Sequence, residues 1–282
     1  MEKHLRKPEW LRTRIAHGNL STNVRKTINQ QELHTICESG LCPNRAECHG
    51  CGTATLMIGG NICTRACKFC NVPHGKPLPL DSQEPQRVAE AAQTLGLKHV
   101  VLTSVDRDDL HDLGAEHWAA TIRAVKQQCP QVTMETLIPD FQGRIDLLDL
   151  VIAEKPEVIS HNLETVERLT PAVRTKATYR TSLKVLEHIA AAGIVAKSGI
   201  MLGLGETEAE ILQTMDDLLA TGCSVMTIGQ YLQPSLRNIS VKEYVHPDKF
   251  EEYRKTGLQK GFKHVESGVF VRSSYHAEKH AG

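Results

Sequence analysis

The alternation of short apolar runs with helical stretches most constrains the fold of this chain. Six strands are predicted between residues 53 and 260, at Thr53–Ile58, His99–Thr103, Thr133–Ile138, Val158–His161, Val195–Met201 and Val225–Gly229. Stretches between them show helical periodicity. Strands that alternate with helices pair in parallel, because a parallel connection needs a long crossover. Six units are fewer than the eight of a closed barrel. We therefore predict an α/β fold, an open, partial parallel (β/α)6 barrel, with a doubly wound sheet as the alternative.

Helix boundaries are visible in three of the intervening stretches. One helix is predicted to open at Pro85 and to stop at Gly96. A second begins with Thr207 and Glu210, which are spaced as a capping box. A third runs over about 178–192. In a parallel barrel or sheet of this kind, the chemistry belongs at the carboxyl ends of the strands.

Three parts of the chain are distinguished. Residues 1–52 are an irregular, cysteine-bearing extension, residues 53–260 form the barrel, and residues 261–282 form a tail. Lys+Arg and Asp+Glu both number 33, so we expect neither nucleic acid nor a membrane surface as the main partner. No run approaches ~20 apolar residues, and the first residues lack the apolar core of a secretory signal. A cytoplasmic protein is expected.

Cysteine usage points to a metal or to redox chemistry. The chain has nine cysteines, and seven of them fall between Cys37 and Cys70. An odd count without an export signal argues against a disulfide framework.

The strongest motif is the CxxxCxxC formed by Cys63, Cys67 and Cys70, directly after the first predicted strand. Three thiolates can bind three irons of a [4Fe–4S] cubane and leave the fourth iron open to a small molecule. The alternatives are a zinc site, which favours paired CxxC knuckles, and a ferredoxin-type carrier, which favours CxxCxxC with a fourth cysteine before proline. The ferredoxin pattern is absent, and we favour the cluster over the zinc site.

A second triplet lies upstream, with wider gaps. Cys37, Cys42 and Cys48 form a CxxxxCxxxxxC, for which scattered core thiols are the alternative. The other three cysteines are expected to be small apolar fillers: Cys51, Cys129 and Cys223.

The CxxxCxxC, with an aromatic residue before its last cysteine, resembles the radical S-adenosylmethionine (SAM) superfamily. Together with the upstream triplet it resembles the lipoyl synthase family within that superfamily. The resemblance runs from about Lys7 to His276 and includes further segments: Cys42-Pro-Asn, Gly52-Thr-Ala-Thr55, Thr103-Ser-Val-Asp-Arg-Asp-Asp-Leu110, Ile138-Pro-Asp-Phe141, His161-Asn162 with Glu164-Thr165, Ser198-Gly-Ile-Met-Leu-Gly-Leu-Gly-Glu206, Gly229-Gln-Tyr-Leu-Gln-Pro234 and Arg272-Ser-Ser-Tyr275. The chain departs from the family at His111-Asp112-Leu113-Gly114, where Asp-Gly-Gly is usual, and at Asp106, where Asn is common.

The resemblance implies two [4Fe–4S] clusters and SAM as cofactors. The cluster on Cys63, Cys67 and Cys70 would bind SAM through its open iron and cleave it to a 5′-deoxyadenosyl radical. The auxiliary cluster would be held by the upstream triplet and, through the tail motif, by Ser273. The tail would thus close over the auxiliary cluster. The implied SAM contacts are Glu206, Asn162, Ser198 and Arg107, although a capped strand-to-helix turn also explains Glu206.

The resemblance also implies a substrate, an octanoyl chain on a lysine of a lipoyl carrier domain. Sulfur would be inserted at carbons 6 and 8, from the auxiliary cluster. The expected partners are E2 subunits of 2-oxoacid dehydrogenases, the glycine cleavage H protein, a flavodoxin or ferredoxin, and an iron–sulfur carrier that rebuilds the cluster. We expect a monomer. The rivals are another two-cluster radical SAM enzyme and a cluster-bearing electron-transfer or iron-sensing protein.

Overall fold

One sheet of eight strands organises the fold. A computed structural model of the chain describes residues 5–12, 19–45, 48 and 55–280, without the side chains of 19–23. The strands are β1 (His34–Thr35), β2 (Thr55–Ile58), β3 (His99–Ser104), β4 (Thr133–Leu137), β5 (Val158–Ser160), β6 (Val195–Leu202), β7 (Val225–Gln230) and β8 (His264–Gly268). The helices are α1 (Asn19–Gln30), α2 (Ile36–Ser39), α3 (Glu84–Thr94), α4 (Ala115–Gln128), α5 (Ile145–Ala153), α6 (Thr170–Val173), α7 (Tyr179–Ala191), α8 (Glu208–Ala220) and α9 (Pro247–Lys260).

The strands lie in the sheet in the order in which they occur in the chain. β1 is antiparallel to β2, and β2 to β8 are parallel. A doubly wound sheet reverses its strand order part-way, so this alternative is wrong. Within the described residues β8 does not pair with β1, so the barrel is open, as predicted.

All six predicted strands are present, and two further strands were missed. β1 has only two residues, too few for a periodicity to show. β8 lies in the segment read as tail, where Val265 is the one buried hydrophobic residue among five. The residues of β8 therefore show almost no apolar pattern from which a strand could be predicted.

Alternation along the strands separates a helix-facing side from the barrel lumen. Leu56, Val100, Met134 and Ile159 pack with the helices in one large apolar core. The predicted capping box of α8 is confirmed, with Thr207 Oγ1 accepting from the Glu210 backbone and the Glu210 carboxylate accepting from the Thr207 backbone. No helix of the described part is long and apolar enough to cross a membrane.

The lumen contains a buried ionic pair, Lys197 of β6 and Glu135 of β4, whose Nζ and Oε2 are 2.7 Å apart. Ser160 Oγ donates to the other Glu135 oxygen at 2.9 Å. The chain's last described turn, Ala277–His280, reaches this pair, with His280 Nδ1 3.3 Å from the ammonium nitrogen. The tail is thus anchored inside the barrel.

Candidate active site

The CxxxCxxC loop leaves β2 at the carboxyl end of the sheet, where the predicted chemistry belongs. Its sulfurs receive backbone N–H groups. Arg65 N and Asp106 N lie 3.4 and 3.3 Å from Cys63 Sγ, and Val72 N lies 3.4 Å from Cys70 Sγ. Such donors stabilise thiolates that ligate an iron–sulfur cluster.

The three thiols of this loop are partly shielded from solvent. Burial raises the pKa of Cys63 to about 12 and that of Cys70 to about 11, and it also raises the pKa of Cys67. The backbone N–H groups oppose the shift. A thiol of this kind ionises when it coordinates a metal, because the metal charge replaces the lost solvation. The donor set therefore fits a cluster. In the described part, no three His, Cys, Asp or Glu side chains lie close enough together to hold a single metal ion.

Arg65, inside the motif, fixes this loop to the ends of β3 and β4. Its guanidinium is buried and contacts the carboxylates of Asp106, Asp108 and Asp140 at 3.2, 2.8 and 2.8 Å. Burial opposes ionisation of Asp108 and Asp140, yet the Arg65 cation holds the pKa of both carboxyls below its usual value. One buried cation thus forms ion pairs with three carboxylates and holds the loop in place.

The upstream triplet begins in α2. Cys37 is buried, and burial raises its pKa while hydrogen bonds from Thr55 of β2 oppose the rise. Cys42 N donates to Cys37 O at 3.1 Å, and Cys48 N donates to Asn44 O at 2.9 Å. These contacts hold the described members of the triplet beside the first parallel strand.

The tail reaches both the upstream triplet and the barrel mouth. Asn44 Nδ2 donates to Phe270 O at 2.6 Å. Burial lowers the pKa of Arg272, and charge on Cys42 opposes this shift, as expected for neighbours. The next residue, Ser273, accepts a hydrogen bond from Asn162 Nδ2 at 2.6 Å.

The two cysteine triplets lie at the same end of the barrel. Asn71, directly after the CxxxCxxC, donates from Nδ2 to Ser39 O of α2 at 2.8 Å. On the other side, Asn238 Nδ2 donates to Cys70 O at 2.8 Å. Two metal centres held by these cysteines would share one substrate-accessible face.

The comparisons with known proteins agree with this geometry. The family model described as "Radical SAM superfamily" matches residues 57–218. A lipoyl synthase of Treponema denticola is 66% identical over 98% of this chain and 95% of its own length. One of Parabacteroides distasonis is 60% identical over 99% of this chain and 100% of its own. The chain belongs to the lipoyl synthase family. As a member, it is a radical SAM enzyme of lipoyl cofactor biosynthesis that uses SAM and [4Fe–4S] clusters and acts on lipoyl carrier proteins.

Solved structures agree on the fold alone. Methylornithine synthase (PylB) superposes with a TM-score of 0.57 over 90% of this chain and 83% of its own, at 13% identity. Streptococcus suis SuiB bound to S-adenosylmethionine gives a TM-score of 0.62 over 79% and 53%, at 11% identity. Both structures share the fold with this chain and have no close sequence relation to it.

The four SAM contacts implied by the lipoyl synthase resemblance occupy different environments. Asn162 Oδ1 is buried at the barrel mouth without a hydrogen-bond partner in the described part, so it can accept from a ligand. Glu206 instead accepts from the backbone of Gly203 and Leu204 and closes the turn before α8. A capped strand-to-helix turn, the alternative expected for Glu206, accounts for both of these bonds.

The other two implied contacts are engaged elsewhere. Ser198 lies on the helix-facing side of β6, and its Oγ accepts from Leu163 N at 3.3 Å. Arg107 is buried in the loop after β3, where it pairs with Asp109 at 2.9 Å and donates to Gly59 O and Leu78 O. Neither side chain hydrogen-bonds Asn162 in the described part. The environment of Arg107 is that of a residue that holds a loop.

The departure at residues 111–114 has a local explanation. Leu113 adopts a φ of +54°, a conformation that glycine adopts more readily. Asp112 accepts from Gly114 N and Glu116 N at 3.2 and 2.9 Å and so caps α4. The helix start is kept although the first glycine of the family pattern is absent.

Sequence reasoning missed the role of Arg65 and of Asn44. Arg65 stands within the CxxxCxxC, and its charge beside three cysteines was a usable signal. Asn44 belongs to the Cys42-Pro-Asn segment, but its contact could not be predicted because its partner Phe270 is 226 residues away.

Proposed function

We propose that this enzyme inserts two sulfur atoms, at carbons 6 and 8, into an octanoyl chain in amide linkage to a lysine of a carrier domain. The cluster held by Cys37, Cys42, Cys48 and Ser273 is the sulfur donor and is therefore a substrate. The observation that carries this proposal is the meeting of both cysteine segments and the tail at one end of the barrel.

Cys63, Cys67 and Cys70 would hold the cluster that activates SAM. When bound, that cluster supplies one electron, which cleaves SAM to methionine and a 5′-deoxyadenosyl radical. The backbone N–H groups of Arg65, Val72 and Asp106 keep the thiolates in place, and the Arg65 ion pairs keep the loop rigid. Asn162 Oδ1 is the residue best placed to accept a hydrogen bond from SAM.

Sulfur insertion needs a radical because an unactivated C–H bond offers nothing to a general base or nucleophile. The 5′-deoxyadenosyl radical takes one hydrogen from each carbon and becomes 5′-deoxyadenosine. Each carbon radical then bonds to a sulfide of the donor cluster, and one electron passes to an iron of that cluster. Protonation releases the sulfur from iron, so one product consumes two SAM molecules and the cluster. A Ser273 oxygen is a harder ligand for iron than a thiolate, so the iron it holds leaves more readily.

The proposal includes the partners and the location. The carrier domains are those of E2 subunits and of the glycine cleavage H protein, the electron donor is a flavodoxin or ferredoxin, and a cluster carrier replaces the spent donor. The enzyme acts as a monomer in the cytoplasm. Residues 1–52 carry the donor-cluster cysteines, 53–260 the barrel and 261–282 the closing tail.

A direct test uses enzyme whose clusters are rebuilt anaerobically with ³⁴S-sulfide. The enzyme is incubated with SAM, dithionite, an octanoyl-lysyl peptide and unlabelled sulfide. We expect a peptide that has gained two ³⁴S atoms, measured by mass spectrometry. A dithiolated product with unlabelled sulfur would overturn the donor assignment. The formation of 5′-deoxyadenosine without any sulfur on the peptide would overturn the insertion itself.

A further inference from the structure

The mouth of the barrel is bordered by three segments, 39–45, 61–80 and 231–242, which we call the rim. They are contiguous in space. Asn71 bonds Ser39 O, Asn238 bonds Cys70 O, and Ile239 N donates to Lys68 O at 2.9 Å. Both cysteine triplets therefore lie beside this one surface.

Within its three segments the rim carries only positive charge, and an exposed carboxylate flanks each segment, at Glu38, Asp81 and Glu243. No Asp or Glu occurs in any of its three segments, although the whole chain has as many acidic as basic residues. Four rim cations are solvent-exposed: Arg45, Lys68, Lys76 and Arg237. None of the four has a carboxylate partner among the described residues.

The helical surface of the barrel is built differently. Six of its arginines pair with carboxylates, as Arg87–Asp81, Arg123–Glu154, Arg144–Asp146, Arg168–Glu210, Arg180–Glu167 and Arg254–Glu251. Positive charge is thus paired at these six positions, whereas the four exposed rim cations are unpaired among the described residues. The buried rim residue Arg65 is paired, with Asp106, Asp108 and Asp140. A field of one sign at one face attracts a partner of opposite charge.

The rim also exposes large apolar side chains. Leu236, Leu78 and Leu41 are 79, 77 and 62% exposed, more than any other large hydrophobic residue of the described part. Single exposed leucines are ordinary, but three on one cationic face match the apolar contacts of a protein interface.

We propose that the rim is the docking surface for the carrier domain and recognises Asp and Glu residues around its octanoylated lysine. This inference rests on the proposed function. The charges orient the domain, the leucines contact it, and the acyl-lysine enters the mouth between the two cysteine segments. Recognition extends beyond the acyl chain, so a carrier domain is a better substrate than a short peptide.

The test uses the holoenzyme and two variants, Arg237→Glu and Leu236→Ser. Lys98→Glu, whose exposed side chain precedes β3 at the opposite end of the barrel, is the matched control. Each enzyme is assayed with an octanoylated acidic carrier domain and with an octanoyl-lysyl peptide. Binding of the domain is also measured directly, by fluorescence anisotropy, with no turnover required.

For Arg237→Glu we expect about a tenfold rise in KM and Kd for the domain at low salt. The difference should shrink as salt screens the charges. The kcat, the peptide KM and SAM cleavage should stay unchanged. Leu236→Ser should weaken domain binding several-fold without salt dependence, and Lys98→Glu should match the unaltered enzyme.

Unchanged domain binding by both variants would overturn the docking proposal, and so would an equal loss with the peptide. An oligonucleotide that binds more tightly than the domain would also overturn it, because the rim would then be a nucleic-acid surface. Failure of the unaltered enzyme to add sulfur to either substrate would instead count against the proposed function, since the anisotropy measurement still decides docking.

Discussion

Asn162 Nδ2 donates a 2.6 Å hydrogen bond to Ser273 Oγ, which joins the residue after β5 to the tail. This bond places a proposed SAM contact, Asn162, and a proposed donor-cluster ligand, Ser273, in direct contact. We expect Ser273→Ala to cleave SAM at the normal rate and to yield little lipoyl product, because one iron of the donor cluster loses its protein ligand. Ser273→Cys should hold the cluster and still insert sulfur poorly, since a thiolate releases iron less readily. 5′-Deoxyadenosine and lipoyl peptide are quantified together, and full product from Ser273→Ala would transfer the role to Ser274.

The two cysteine triplets should separate by function. Cys63→Ala should abolish SAM cleavage, whereas Cys42→Ala should retain SAM cleavage and lose sulfur insertion. Reconstituted enzyme should contain about eight irons per chain and each variant about four. Iron analysis and 5′-deoxyadenosine formation check this. Cys129→Ala, outside both triplets, is the control and should leave the iron content unchanged.

Arg65 should be needed for the geometry of the CxxxCxxC loop. Arg65→Met leaves the buried Asp140 without its cation, while Asp108 keeps the Lys176 ammonium at 3.2 Å. We expect a cost of about 3–5 kcal/mol in unfolding free energy. Anaerobic urea denaturation measures that cost. An exposed pair provides the contrast, since Arg180→Met should cost less than about 1 kcal/mol. Equal costs for the two variants would contradict this assignment.

Breaking the buried pair of Lys197 and Glu135 should destabilise the fold more than breaking any surface pair. Lys197→Met leaves an unpaired carboxylate in the lumen and should destabilise the protein by about 3–5 kcal/mol. The double variant Lys197→Met with Glu135→Leu should recover most of that loss, because no charge is then left buried. Because His280 contacts Lys197, limited proteolysis of the tail should become faster in the single variant.

Acid should destabilise the protein through His161. Burial lowers the pKa of His161 to about 4, and the nearby cations Arg174 and Arg65 act in the same direction, while Asp140 and the Ile138 carbonyl oppose them. The ring stays neutral in the fold, with Nδ1 2.9 Å from Ile138 O and Nε2 2.9 Å from Ser182 Oγ.

The unfolded chain binds a proton at His161 near pH 6.5, so the native state loses stability as the pH falls from about 6.5 to 4. The loss reaches about 3 kcal/mol and is absent above that range. Urea midpoints measured between pH 8 and 5 check this, and His161→Gln should flatten the dependence. An unchanged slope in the variant would assign the acid sensitivity to other groups.

Features formed by residues close together in the sequence, such as strands and cysteine motifs, could be predicted from the sequence. Apolar runs are visible because a buried strand must be apolar whatever its neighbours are, and they predicted six of the parallel strands. The cysteine spacings predicted the two triplets, because ligands close in sequence are close in space. Strand β8 was not predicted because it carries one buried hydrophobic residue, Val265. Its position in the sheet depends on pairing with β7.

The tertiary structure alone decided which distant residues meet. Asn162 and Ser273 are 111 residues apart, and Arg65 and Asp140 are 75 apart. Contacts of this kind depend on the order and register of the strands, which no local pattern encodes. The same holds for Ser198, whose motif suggested a ligand contact while strand alternation turns its side chain toward the helices. Spacing along the chain determined which residues could share a site, and the curvature of the sheet into an open barrel decided which of them meet there.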